Sequence, residues 1–230
     1  MALILSLETS SPVCSVALHQ GGKLLGQSEL RLEKSHSSHL SILVNQLLEN
    51  SQHTLSDLAA VAISDGPGSY TGLRIGAAAA KGLCFALNIP LLAISTLQAM
   101  ASQVAAYTAG ADNFLFCPML DARRMEVYSA IYTAGGTEML APAPLILESD
   151  TLAEQLAHHR LLFFGNGAVK FQPLVADQPN AGFLSGVEPS AIAVGALAQA
   201  AFERQDFRDV AYYEPFYLKE VYTTTPKVKN

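Results

Sequence analysis

Positive charge is scarce in this chain. Fourteen lysines and arginines stand against twenty aspartates and glutamates, for a net charge of −6 and a pI near 5.5. A protein that grips nucleic acid unaided carries more positive charge, clustered on one face. The one basic cluster is Lys219, Lys227 and Lys229 near the C-terminus, and three lysines do not hold an RNA by themselves. Cysteine is sparse too: Cys14, Cys84 and Cys117 are odd in number and widely spaced. The absence of a C-x-x-C pair excludes a zinc ribbon or redox dithiol and fits a reducing cytoplasm. Long apolar runs are missing, since Ser, Gly, Pro or charge interrupts each one short of the about 18 residues a membrane span needs. The N-terminal "MALILSLETSS" lacks a basic n-region and a full h-region, so no export is expected. The Walker pattern G-x-x-x-x-G-K-[ST], the zinc motif H-E-x-x-H and the elbow G-x-S-x-G are all absent.

What the chain has is apolar material. Half of its residues are hydrophobic and 15% are charged, enough to bury a substantial core. "LILSLE", "VCSVALH" and "KLLGQSEL" read as three strands of an antiparallel meander, with turns at "TSSP" and "QGG". Leu40, Leu43, Val44, Leu47 and Leu48 recur at helical spacing and predict a helix from about 37 to 50. "AAVAIS" is a fourth strand, "PLLAIS" a fifth, with a helix through Leu87 between them and an Ala-rich helix from Thr96. The second half restarts the plan: "FLFCPMLD", "MEVYSAIY" and "TEML" are strands. Glu8 stands thirteen residues before Gly21, as Asp121 stands fourteen before Gly135. A duplicated α/β architecture follows, two mixed β-sheets with crossover helices, which is the plan of the actin/Hsp70-like (RNase H-like) fold. The expected division is 1–110 and 111–230, with the last helix, over "PSAIAVGALAQAAFERQ", packing back on the first part. "APAPLI" reads as irregular, and a loop is expected from the "LLFFGNG" strand and turn to about 189.

"SDGPGSYTGLRIGAAAAKG", residues 64–82, is the segment that raises the functional question. A Rossmann G-x-G-x-x-G would need glycine where Thr71 stands, and the loop follows the fourth strand, not the first. Gly66, Pro67 and Gly68 suit a sharp reversal, and Ser69 or Thr71 is placed to cap the next helix. Gly72, Gly76 and Ala80 then fall four apart on one helical face. A helix-interior glycine costs about 1 kcal/mol relative to alanine, so something must approach that backbone closely. The partner is either this protein's own sheet or a helix of another chain. Arg74 is read as forming an internal ion pair or facing a nucleotide or partner carboxylate. Glu8 reads as a strand-end residue and Asp121 as a turn cap. Neither begins the D-x-G-x-[ST] turn that holds phosphate and Mg²⁺ in an active kinase of this plan. His36 and His39 have no third ligand nearby and are read as helix-end residues, not a metal site.

Six segments, "ILSLETSSPVCSVAL", "HSSHL", "DGPGSYTGLRIG", "STLQAMA", "LDARRMEVY" and "EPFYLK", resemble the TsaB (YeaZ) family in order and spacing, from residue 3 to about 219. The resemblance implies a degenerate relative of TsaD with no catalysis, metal or cofactor of its own, in the pathway that forms threonylcarbamoyladenosine next to the tRNA anticodon. It implies pairing with TsaD helix against helix, work alongside the ATPase TsaE, a homodimer when alone, and tRNA contact only through the complex. ATP or the adenylate at the interface with TsaD is left open. Carried onto this chain, the pairing seam would be the helices bearing His36, Leu40, Leu43 and Leu47, and Gly72, Arg74, Gly76 and Ala80. On that reading Gly76→Leu keeps the fold and abolishes the complex. Relatives usually carry aspartate where Glu8 stands. The alternative reading is a small actin-like phosphotransferase with its own ATP site.

Overall fold

The computed structural model describes residues 1–32 and 36–219. The first five strands are β1 (Leu3–Glu8), β2 (Cys14–Gln20), β3 (Lys23–Leu30), β4 (Ala60–Gly66) and β5 (Leu91–Ser95). They form one sheet in the order β3-β2-β1-β4-β5, with the meander antiparallel and β4 and β5 parallel to β1. The second sheet holds β6 (Leu115–Asp121), β7 (Glu126–Tyr132), β8 (Glu138–Ile146), β9 (Leu161–Phe164) and β10 (Ala181–Leu184) in the order β10-β9-β6-β7-β8. Read from its opposite edge, this is the first sheet's path again. The duplicated fold expected from the sequence is therefore present.

Two stretches differ from expectation. Pro-rich "APAPLI" belongs to β8, an edge strand that pairs with β7 alone; register shifts between Ser129 and Tyr132 absorb the irregularity. Edge strands tolerate proline because one side needs no ladder donor. The loop expected up to 189 contains β10, whose "AGFL" is too short to show a period.

β1 is buried at all six positions because helices cover both faces of its sheet, and its run is accordingly nearly all apolar. On one side lie α1 (His36–Asn50) and α2 (Tyr70–Leu87), which pack Leu40, Leu43, Leu47, Ala77, Ala80 and Cys84 against Leu5, Leu7, Val16 and Ile63. On the other lies α6 (Ala191–Glu203), a helix of the chain's second half. Its Ala193, Val194, Ala198 and Ala201 join Ile4, Ala60, Ala62, Leu92 and Ile94. Close approach is enforced at Gly195, where a Cβ would fall 2.1 Å from His19 Nδ1. α3 (Thr96–Tyr107) bridges the sheets, packing Leu97, Met100 and Val104 on Phe116, Leu120 and Phe164. Two short helices, α4 (Ala153–His158) and α5 (Ala168–Phe171), cover the outer face of the second sheet.

Candidate functional site

Two places in this fold offer themselves as sites: the cleft between the sheets and the outer faces of α1 and α2. The cleft encloses about 640 Å³ among the β1–β2 turn, the loop after β4, the β6–β7 turn and the C-terminal residues Phe216–Lys219. Glu8, at the end of β1 just before the β1–β2 turn, is wholly buried and does not itself line the cleft. Glu8 Oε1 accepts from Ser10 N (2.5 Å) and Ser64 Oγ (3.0 Å), while Oε2 has no partner among the described residues. Burial drives its carboxyl above the usual glutamate range, against the hydrogen bonds from Ser10 and Ser64. A carboxyl of that kind is held by its own turn and is poorly suited to a cation.

Gly66 has φ +113°, a conformation suited to glycine, and Ser69 caps α2 by accepting from Gly72 N at 3.3 Å. The same loop faces the β1–β2 turn so closely that Ser69 N donates to Ser10 O at 2.6 Å. Two of the donors at the start of α2, Ser69 N and Gly72 N, are thus occupied by the chain itself. Asp121, the counterpart of Glu8, is exposed. It pairs with Lys170 and accepts from Arg123 N at 2.6 Å. Burial raises its pKa, but Lys170 and Arg123 outweigh this and hold the carboxyl below the usual range.

The glycine face of α2 is the clearest correction to the sequence reading. A Cβ on Gly72 would stand 2.0 Å from Thr9 O, and one on Gly76 would stand 2.3 Å from Thr9 Oγ1 and 3.2 Å from Ile63 Cδ1. The rod expected to fill that groove is the protein's own β1–β2 turn. Ala80 is fully buried on the same side. Gly76→Leu would therefore break the fold and cannot test a partner. Leu40, Leu43 and Leu47 are likewise core residues, and His36 is buried with Nε2 2.9 Å from Ser11 O. None of these seven faces outward. Arg74 does, but it makes no ion pair among the described residues; it donates to Tyr70 Oη at 3.0 Å and lies over that ring.

The residues that face outward on these helices are others. On α2 they are Thr71, Arg74, Ala78, Gly82 and Phe85, three or four apart, and Phe85 is 84% exposed. α1 lies beside α2 and shows Ile42, 46% exposed, with Asn45 and Glu49. Phe85 was the available signal: it lies well round the helical wheel from Leu73 and Ala80. The three thiols are buried and inert, with Cys14 and Cys84 pushed up to about 11 and Cys117 to about 12 by burial. Lys219 pairs with Glu126 at 2.5 Å, whereas Lys227 and Lys229 lie outside the described residues. No helix among the described residues is long and apolar enough to cross a membrane.

Comparison with known proteins gives consistent results. The family model described as "TsaD: tRNA N6-adenosine threonylcarbamoyltransferase" matches residues 30–221. The tRNA threonylcarbamoyladenosine biosynthesis protein TsaB of Bacillus subtilis is 30% identical over 177 residues, 76% of this chain and 75% of that protein. The protein of the same name from Escherichia coli is 39% identical over 129 residues, 56% of this chain and 54% of that one. Among solved structures, a Pseudomonas aeruginosa protein described as similar to peptidase YEAZ superposes with a TM-score of 0.80 at 32% identity, covering 95% of this chain and all of that one. Component A of the (R)-2-hydroxyglutaryl-CoA dehydratase of Acidaminococcus fermentans, TM-score 0.53 at 10% identity over 90% of this chain and all of that one, shares the fold alone.

Proposed function

The chain belongs to the TsaB family, and from that premise we propose that it is a subunit, without catalysis of its own, of the assembly that makes threonylcarbamoyladenosine in tRNA. Its task is to hold TsaD in an active arrangement. The observation that carries this reading is the outward stripe of α2, with Phe85 84% exposed, together with the exposed Ile42 on the neighbouring α1. An apolar ring that gains nothing from water gains about 2 kcal/mol when covered. The occupied donors at the start of α2, the unsuited carboxyl of Glu8 and the buried thiols support the absence of a nucleotide site or a nucleophile of the chain's own.

The stripe is where TsaD would sit, two helices from each partner. In its absence a second copy would cover the same stripe as a homodimer. TsaE and tRNA would meet the assembly and not this chain directly, and ATP or the adenylate, if it touches this subunit, would do so at the edge shared with TsaD. The test is co-elution of purified Phe85→Asp with TsaD, alongside circular dichroism. The expected result is loss of co-elution with an unchanged spectrum. Full co-elution would overturn the assignment of the seam. Tight binding of Mg-ATP by the isolated chain in calorimetry would overturn the non-catalytic reading in favour of a phosphotransferase.

A further inference from the structure

The segment after α6 follows a path that neither the family likeness nor the seam explains. It begins on the edge of the first sheet, where Arg208 N donates to Leu91 O at 2.8 Å. It then passes α2, where Lys81 Nζ donates to Ala211 O (3.1 Å) and Tyr213 O (3.0 Å). Tyr213 is buried, and its hydroxyl donates to Asp65 Oδ1 at 2.8 Å. Three residues on, Phe216 N donates to Asp65 O at 2.8 Å, and Phe216 O lies 2.6 Å from where a Cβ of Gly66 would stand. The Tyr217 ring meets Tyr70 at 5.0 Å between centroids. Lys219 then crosses to the other sheet and pairs with Glu126 of β7. Within seven residues the chain touches both walls of the cleft and forms part of its lining.

We propose that Tyr213–Lys219 is an intramolecular strap, bound to the end of β4 as a peptide ligand would be and fastened to β7, that holds the cleft between the two sheets closed. Backbone recognition at Asp65 and Gly66 fixes its register, and rings and charge fix its ends. Gly66 is glycine because the strap's carbonyl occupies the space of a side chain. Burial, reinforced by the Asp65 carboxylate, pushes the Tyr213 hydroxyl up, so it remains a donor throughout the neutral range. The strap does the work that a bound ligand does in a two-walled cleft: it ties together bodies joined otherwise mainly by α3. This inference does not depend on the TsaD seam: the strap meets α2 at Tyr70 and Lys81, on the flank of the outward stripe.

Amide hydrogen exchange on the full chain tests it without mutation. The Phe216 amide should exchange about 100-fold more slowly than in a free peptide of the same sequence, as expected of a structured segment. In the double variant Tyr217→Ala/Lys219→Ala, that protection should fall about tenfold while the amides of β1 and β2 keep theirs. Spin labels on Asn45→Cys and Glu154→Cys, one on each half, should then report a broader distance distribution than in the unaltered strap. Exchange of Phe216 at the free-peptide rate in the unaltered chain would overturn the proposal, and so would a double variant that moves neither readout. Should the double variant lose β1 protection as well, Tyr217→Ala alone supplies the same comparison.

Discussion

The two halves of the molecule contain the same corner built twice. Where β4 ends the chain reads Gly66-Pro67-Gly68, and after β9 it reads Gly165-Asn166-Gly167. The first glycine of each has positive φ, +113° and +96°. The second of each abuts the end of the preceding hairpin, Gly68 at Ser10 O and Gly167 at Met119 O and Leu120 C. Each corner is sealed by one backbone bond, Ser69 N to Ser10 O and Gly167 N to Met119 O. What differs is the cover. An 18-residue helix lies over the first corner and a four-residue helix over the second. Glu8, Thr9, Ser10 and Ser11 are consequently buried, while Asp121 remains at the surface with Lys170. The fate of a strand-end acid is thus decided by the helix that lies over it, not by the strand that carries it.

Substitutions can break or sharpen that contrast. The largest effect is expected from Gly72→Ala, which drives a methyl group into the Thr9 backbone; a loss of about 3 kcal/mol in the unfolding free energy from urea titration is expected for overpacking against an atom that cannot rotate away. Gly82→Ala, in the same helix with nothing within 4 Å, should instead gain up to about 1 kcal/mol. Equal effects at the two sites would mean that the turn does not press on α2.

Next come the two acids, whose pH dependences should have opposite signs. Glu8 has a raised pKa in the fold, so the folded state holds its proton more tightly and stability falls as pH rises above the ordinary value of 4.5. Glu8→Gln should flatten that decline when the thermal midpoint is followed from pH 5 to 8; an unchanged slope would show the carboxyl to be solvated. Asp121 has a lowered pKa, so its contribution is present above the ordinary value of 3.8 and is lost as pH falls through the folded value. Asp121→Asn should cost less than about 1 kcal/mol at pH 7, because the pair with Lys170 is exposed to solvent.

Much of this was legible in the sequence. The meander strands, the helix spacing of Leu40 to Leu48 and the echo of Glu8 in Asp121 are local patterns, and local patterns survive folding. The family likeness from residue 3 to about 219 rested on six segments and agrees with the comparisons. The orientation of α2 was not legible. Gly72 and Gly76 announce a close neighbour, but a turn more than sixty residues earlier and a foreign helix leave the same mark. Thr9-Ser10-Ser11, small and polar beside Pro12, was the only hint that the turn was narrow enough to fit. The seam moved by part of a helical turn as a result, from buried Gly76 to exposed Phe85. The parallel between the G-P-G and G-N-G corners was in plain view, yet its meaning depends on a contact across the sheet that spacing alone does not reveal.

The placement of α6 has a consequence for how the chain is made. Ile4, Ala62 and Leu92 leave the ribosome roughly 100 to 190 residues ahead of Ala193, Val194 and Ala198, which shield them. Through most of synthesis the first sheet has one oily side bare, so the nascent protein is completed by its near-final helix rather than folded in instalments.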